Sequence, residues 1–196
     1  MTLADKVTAS RIALAPVFFV LFTWGAALGL PHVALSIILW VMLLVMEISD
    51  MIDGMVARGT KSVSSFGKLF DPFADVLSHL TSFVCFIMVG IMPAWAFLVI
   101  LFREYSMLFL RLLLIEKRVT MGARPGGKIK SFMYAVSVLA SLLYWTLSGL
   151  QFDAIWLNRL YSGVQWLYII CVALTVVSFA DYIIQFRKIT RNAAAA

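Results

Sequence analysis

The chain has 196 residues and a formal net charge of +6, and 63% of its residues are hydrophobic. Only 13% are charged, where a soluble domain has about a quarter, and the mean hydropathy is +0.98. This composition excludes an ordinary soluble domain, because long uncharged stretches approach the ~20 residues that span a bilayer. We therefore predict an all-α, polytopic membrane protein.

Six apolar stretches, separated by prolines, glycines and basic clusters, predict six transmembrane helices. In chain order we expect them at residues 12–30, 34–56, 72–91, 94–115, 129–150 and 163–186. Residues 1–191 are interpreted as a single membrane domain, and residues 192–196 as a frayed tail or a cloning scar. Cys85 and Cys171 lie inside apolar runs, so we predict two buried thiols and no disulfide.

Basic residues near the ends of the predicted helices lie mainly on one side of the membrane. The connections on the other side carry only Arg159. Cytoplasmic loops are enriched in Lys and Arg, so we predict that both termini are cytoplasmic. The positive charge then reflects topology and attraction to anionic lipid headgroups, and we expect no nucleic-acid partner. The basic residues on the predicted cytoplasmic side are Lys6, Arg11, Arg58, Lys61, Lys68, Lys117, Arg118, Arg124, Lys128, Lys130, Arg187, Lys188 and Arg191.

Four of the ten acidic residues lie where the second predicted helix ends and the third begins. Asp50 and Asp53 are three residues apart, and Asp71 and Asp75 are four apart, so each pair is expected on one helix face. Asp71 precedes Pro72 and is also a candidate cap for the third helix. Four carboxylates near one membrane surface repel each other unless cations offset them. The pattern therefore predicts hard divalent cations such as Mg²⁺ or Mn²⁺, two of which would suit displacement at phosphorus.

Small residues and one arginine lie between these acidic pairs. Gly54 and Ala57 leave room beside the second helix, and Arg58 offers a planar donor for phosphate. Gly67 frees the backbone before the second acidic pair. Small residues taken singly are typical of helix packing in membranes, but with the acidic spacing they indicate a site for a bulky phosphorylated ligand.

Written out, the stretch is Asp50-x2-Asp53-Gly54-x2-Ala57-Arg58-x8-Gly67-x3-Asp71-x3-Asp75. It resembles, at every fixed position and gap, the signature of the CDP-alcohol phosphotransferases, and the six-helix layout is similar over the whole chain. The resemblance implies transfer of a phosphatidyl or phospho-base group from a CDP-linked donor to an alcohol, release of CMP, and a homodimer. It also implies roles for the motif residues: Asp50, Asp53, Asp71 and Asp75 would hold two divalent metals, Asp75 would be the general base, and Asp50, Gly54, Ala57, Arg58 and Gly67 would bind the CDP donor.

A second polar cluster lies in the fourth and fifth predicted helices. Arg103 and Arg111 are eight residues apart in "REYSMLFLR", and Lys128 and Lys130 lie in "GGKIKS". With Thr8, Arg11 and Pro16 of "TASRIALAP", this arrangement is similar to the phosphatidylglycerophosphate synthase branch of the family.

That similarity implies the substrates CDP-diacylglycerol and glycerol 3-phosphate. The acceptor's phosphate would bind to Arg103, Arg111, Lys128 and Lys130. It further implies an integral protein of a bacterial inner membrane, in contact with membrane lipids, whose active site faces the cytoplasm.

Other interpretations stay open. Arg103 can instead form an internal ion pair with Glu104 or Glu47, and the lysines can simply reflect topology. Glu47 and His79 extend the polar faces one turn beyond the acidic pairs, so the acceptor can also be inositol phosphate, serine or a choline-type alcohol. A cation transporter is a remoter alternative, because transporter sites tend to lie near the bilayer midplane in repeated, interrupted helices.

Overall fold

The computed structural model describes the backbone of residues 3–60, 67–116 and 125–194. Within these ranges, the side chains of residues 3–7, 50–60, 67–69, 71, 115–116, 125, 128, 189–190 and 192–194 are outside the description. The described backbone forms six α-helices and no strands. They are α1 (Leu3–Trp24), α2 (His32–Thr60), α3 (Gly67–Met88), α4 (Ala94–Glu116), α5 (Pro125–Gly149) and α6 (Ala154–Ala194).

Three of these helices contain a described segment long and apolar enough to cross a membrane: His32–Ser49, Ile129–Gly149 and Ala154–Lys188. The apolar parts of α1 and α3 are shorter, Thr8–Trp24 and Pro72–Met88, and α4 is interrupted by charged residues. The all-helical class is confirmed, and the three candidate spans are consistent with a membrane protein. Six complete crossings and the cytoplasmic location of the termini stay predictions.

All three described connections use the same local turn, in which a residue with positive φ ends the preceding helical segment. Gly29 (φ 82°) follows α1, Gly90 (φ 71°) follows α3 and Gln151 (φ 53°) follows α5. At Gly90, for example, the Ile91 amide donates to the Phe86 carbonyl at 2.8 Å, and the Gly90 amide donates to Ile87 at 3.0 Å. This is the Schellman arrangement, which satisfies carbonyls at a helix end.

The predicted helix limits are wrong at several ends. The regular part of α1 stops at Trp24 and not at residue 30, because the turn formed by residues 25–29 follows it. Helix α6 begins at Ala154 and not at residue 163. Asp153 caps it there, since its Oδ1 accepts hydrogen bonds from the amides of Ile155 and Trp156 at 3.0 and 3.1 Å.

The start of α3 also differs from the prediction. The helix begins at Gly67, and Pro72 lies inside it. Asp71 is therefore in the second turn, so the capping role predicted for it is wrong. Proline at an interior position forgoes one backbone hydrogen bond.

The helices pack around one large apolar core, and a second, smaller apolar cluster contains Met107 and Leu114 of α4 and Tyr182 of α6. Helix α1 contacts α2 and α3, α5 lies along α6, and α3 contacts both α4 and α5. Aromatic rings meet edge to face in this core, with Phe83 5.5 Å from Tyr134 and 5.9 Å from Tyr168 between ring centroids. Cys85 and Cys171 are buried and free, as predicted. Large apolar side chains such as Ile37 and Val177 point outward, as expected for surfaces in contact with lipid.

Candidate active site

Most of the predicted donor and metal residues lie outside the described side chains. Asp50, Asp53, Gly54, Ala57 and Arg58 belong to the last part of α2, and Gly67 and Asp71 to the start of α3. Lys128, near the start of α5, is likewise outside the described side chains. Their roles stay predictions, and the described part of the site is formed by Asp75, Arg103, Arg111, Lys130 and their neighbours.

Asp75 contacts a histidine one turn further along α3. The Nδ1 atom of His79 lies 3.1 Å from the Asp75 Oδ1 atom, and the same nitrogen lies 3.0 Å from the Asp75 backbone oxygen. Across the bundle, His79 Nε2 lies 3.4 Å from the Oε1 atom of Glu47 in α2. The histidine therefore lies between two acids from different helices.

The His79 ring also packs against the aromatic core. Its centroid is 5.9 Å from the Tyr134 ring of α5 and 6.4 Å from the Phe83 ring. His79 is thus the point where Asp75 of α3, Glu47 of α2 and Tyr134 of α5 meet.

A buried carboxylate, Glu104, organises the predicted phosphate-binding cations. The Arg103 Nη1 atom lies 3.0 Å from each Glu104 oxygen. Lys130 of α5 forms an ion pair with Glu104 Oε1, and its ammonium lies 4.6 Å from the centre of the Tyr134 ring. The internal pair considered for Arg103 therefore exists, and Lys130 shares the same acid.

Hydroxyl groups extend this cluster to α6. The Tyr134 hydroxyl lies 3.2 Å from Glu104 Oε1 and 2.6 Å from Thr175 Oγ1. The Arg103 Nη2 atom donates to Ser178 Oγ at 3.1 Å. Glu104, with one negative charge, thus faces two cations, and the cluster retains an excess of positive charge.

Arg111 lies two turns from Arg103 along α4, on the same seam with α6. The charges of Arg111 and Arg103 both act on the Tyr182 hydroxyl of α6. Arg103 and Arg111 were predicted to lie near one face of α4, and the influence of both on Tyr182 agrees with this prediction.

Arg11, which the N-terminal resemblance singled out, is almost completely buried, with 1% of its surface exposed. Its charge and that of Lys130 both act on the Asp75 carboxylate. A buried cation in the apolar half of a bundle is costly unless acids lie nearby, and the attraction to Asp75 provides part of that compensation.

The partners on α6 and Tyr134 were not predicted. Thr175, Ser178 and Tyr182 follow at intervals of three and four residues, so they form one polar stripe on an otherwise apolar helix. Tyr134 lies four residues after Lys130, on the same helix face. Both patterns are visible in the sequence, but polar stripes in membrane helices commonly mark packing between helices as well as sites.

Taken together, one end of the bundle holds a carboxylate in contact with a histidine. Beside them lies a cluster of buried charged residues in which the cations outnumber the acid. This arrangement can accept a proton from a hydroxyl group and bind an anion next to it.

Comparison with known proteins gives a consistent result. The family model described as CDP-alcohol phosphatidyltransferase matches residues 1–177. A Treponema pallidum protein named CDP-diacylglycerol–glycerol-3-phosphate 3-phosphatidyltransferase is 36% identical, with 98% of this chain and 92% of that protein covered. Proteins of the same name from Bacillus subtilis and Rickettsia typhi are each 32% identical. The match to the Bacillus subtilis protein covers 72% of this chain and 77% of that protein. The match to the Rickettsia typhi protein covers 70% of this chain and 75% of that protein.

Proposed function

Because this chain belongs to the CDP-alcohol phosphatidyltransferase family, we propose that it is a CDP-diacylglycerol–glycerol-3-phosphate 3-phosphatidyltransferase. The observation that carries the proposal is its similarity, over 98% of its length, to a relative of that name. The products are phosphatidylglycerol phosphate and CMP. We also place the enzyme in a bacterial inner membrane with its active site facing the cytoplasm, and the positions of the basic residues support this orientation.

The proposed reaction is a displacement at phosphorus. The glycerol 3-phosphate hydroxyl loses its proton to the Asp75 carboxylate while its oxygen attacks the phosphatidyl phosphorus of the donor. The bond from that phosphorus to the CMP oxygen breaks, and CMP leaves with the electron pair. A positioned general base typically contributes ~10²–10⁴-fold to such a step.

The four aspartates are the proposed ligands for two divalent cations, Mg²⁺ or Mn²⁺. When bound, these cations would neutralise charge on the diphosphate of the donor. The contact between Glu47 and His79 supports this assignment, because these residues lie one turn from Asp50 and Asp75 and bring a side chain of α2 within 3.4 Å of one of α3. Among the described side chains no three acids, histidines or cysteines are grouped to hold a metal, so the proposed ligand set depends on Asp50, Asp53 and Asp71.

The proposed donor and acceptor sites use different residues. Gly54, Ala57, Arg58 and Gly67, with Asp50, are assigned to the CDP donor because of the family signature. Arg103, Arg111, Lys128 and Lys130 are assigned to the acceptor's phosphate. In support, the buried Nε atom of Arg103 has no hydrogen-bond partner among the described residues, and a phosphate oxygen would satisfy such a donor.

We also propose that the enzyme is a homodimer that associates through α4. Large side chains project outward from α4 at alternating intervals of three and four residues, the spacing of a helix-pairing seam. They are Trp95, Leu98, Phe102, Tyr105, Phe109 and Leu112, each at least 49% exposed.

A cysteine cross-linking experiment tests the dimer. Because Cys85 and Cys171 are buried, a Phe109→Cys variant in membranes should cross-link to a second copy. Val177→Cys, on the exposed surface of α6, is the matched control and should not. Equal cross-linking of the two variants would contradict association through α4.

An acceptor panel tests the proposed activity. Purified protein receives labelled CDP-diacylglycerol, Mg²⁺ or Mn²⁺, and glycerol 3-phosphate, inositol phosphate, serine or choline in turn. We expect CMP release when glycerol 3-phosphate is the acceptor and with none of the other three alcohols. Chelation of the metal with EDTA should abolish this release. CMP release with a different alcohol would assign that alcohol as the acceptor. No release with any of the alcohols would reject the proposed enzymatic activity and favour a different one, such as ion transport.

A further inference from the structure

His79 is buried between two acids that are partly exposed. Its side chain is 8% exposed, whereas those of Asp75 and Glu47 are each 22% exposed. A polar ring in this position can either pack against its neighbours or orient the carboxylate of Asp75. The contacts of the ring distinguish these two roles.

The Nδ1 atom of His79 faces two acceptors, the Asp75 Oδ1 atom at 3.1 Å and the Asp75 backbone oxygen at 3.0 Å. Because both are acceptors, Nδ1 carries a proton and donates it to them. Bonding to the backbone oxygen fixes the ring relative to the helix, and bonding to Oδ1 fixes the carboxylate relative to the ring. The side-chain rotation of Asp75 is thereby restricted.

The ring itself is held from two other helices. Glu47 of α2 approaches Nε2 at 3.4 Å, and Tyr134 of α5 packs against the ring at 5.9 Å. Tyr134 is in turn hydrogen-bonded to Glu104 at 3.2 Å. The orientation of Asp75 is therefore connected, through one histidine, to the cluster that holds Arg103 and Lys130.

We propose that His79 is a positioning residue for the reaction: by donating from Nδ1 it holds the Asp75 carboxylate in the orientation that receives the proton of the acceptor hydroxyl. Glu47, 3.4 Å from Nε2, lies on the other side of the ring that makes this hydrogen bond. The inference rests on the proposed function, in which Asp75 is the base. It adds two residues from outside the acidic signature to the site, His79 of α3 and Glu47 of α2.

Three substitutions separate positioning from packing. In His79→Asn the amide nitrogen lies close to the place of Nδ1 and can still donate to Asp75. In His79→Gln the amide lies nearer to the place of Nε2. His79→Phe retains a ring of similar size but has no donor.

If His79 positions Asp75, His79→Phe and His79→Gln should lower kcat ~10–100-fold, the size expected when a catalytic group is misplaced by about 1 Å. His79→Asn should retain kcat within ~3-fold of the unsubstituted enzyme, because the Nδ1-like donor remains. In all three variants, the KM for CDP-diacylglycerol and its Kd measured without acceptor should stay nearly unchanged, and so should the melting temperature in detergent.

Two results would overturn the proposal. One is an unchanged kcat in His79→Phe. The other is a loss of kcat in His79→Asn as large as in His79→Phe, since a packing role does not distinguish donors. Where His79→Phe does not fold, the contrast between His79→Asn and His79→Gln decides the question. An unsubstituted enzyme that releases no CMP would reject the proposed function as well, whereas an active enzyme with an indifferent His79 would reject only the positioning role.

Discussion

The Nη1 atom of Arg103 lies 3.0 Å from both carboxylate oxygens of Glu104, its neighbour in the chain. Adjacent residues of a helix do not normally face each other, so the long arginine side chain folds back to reach the acid. The same acid pairs with Lys130 and accepts a hydrogen bond from Tyr134. One carboxylate thus joins α4 to α5 and neutralises half of the local positive charge.

Replacing Glu104 with Gln should strongly destabilise the protein. The change leaves Arg103 and Lys130 buried, at 7% and 4% exposure, without their shared counter-charge. Removing one partner from a buried pair typically costs ~3–5 kcal/mol. The measurement is the free energy of unfolding in detergent. The combined variant Glu104→Gln/Lys130→Met should recover part of the loss, and a double variant less stable than Glu104→Gln alone would show that the lysine is not the uncompensated charge.

Asp75→Asn should abolish turnover while donor binding remains. An amide cannot take the acceptor's proton, so we expect CMP release to fall by ~10²–10⁴-fold, and CDP-diacylglycerol binding measured without acceptor should change little. Asp153→Asn is the matched control. It makes the same chemical change in a helix cap where Asn is equally suitable, and it should retain activity. Near-normal turnover of Asp75→Asn would remove Asp75 from the role of base.

Arg111→Ala should raise the KM for glycerol 3-phosphate more than the KM for CDP-diacylglycerol. Loss of a charged hydrogen bond to phosphate corresponds to ~1.5–3 kcal/mol, roughly a 10–100-fold effect. Steady-state kinetics with each substrate varied in turn provides the comparison. Arg159→Ala, beyond the other end of α5, where the guanidinium stacks on Trp156, should change neither constant. A larger effect of Arg111→Ala on the donor KM would move Arg111 out of the acceptor site.

Gln151→Gly should stabilise the protein. Gln151 has a φ of 53°, and the left-handed conformation costs a residue with a Cβ atom about 1–2 kcal/mol, whereas glycine adopts it readily. Glycine also has more chain entropy in the unfolded state, which offsets part of this benefit. We therefore expect the free energy of unfolding to rise by about 1 kcal/mol. Gln151→Ala still has a Cβ atom and should show little gain. A loss of stability in Gln151→Gly, measured by thermal unfolding, would mean that the glutamine side chain makes a contact worth more than this strain.

The number and order of the helices could be predicted from the sequence, because apolar stretches and breaks by Pro and Gly are local signals. The helix ends could not always be predicted. Pro72 was interpreted as the first residue of α3, since proline favours that position, yet the helix continues for five residues before it. Asp153 is a typical helix-capping residue and could have indicated that α6 begins at Ala154. The prediction followed hydropathy instead and placed the start at residue 163.

The acidic spacing predicts a metal site because the residues of each pair are close along the chain, and that site stays a prediction. The partnership of Glu104 with Lys130 could not be predicted in the same way. Those residues are 26 positions apart, and their contact depends on how α4 and α5 rotate about their own axes. The link from His79 to Glu47 has the same origin, since it joins two helices whose relative orientation no local pattern determines.

The most direct test of the account is the stoichiometry of transfer. Purified enzyme in detergent is given CDP-diacylglycerol, Mg²⁺ and glycerol 3-phosphate labelled in the glycerol, and the CMP released is compared with the label that enters the lipid phase. The account predicts one labelled phosphatidylglycerol phosphate for each CMP, with both lost together in Asp75→Asn. Release of CMP without labelled lipid, or labelled lipid formed undiminished by Asp75→Asn, would contradict it.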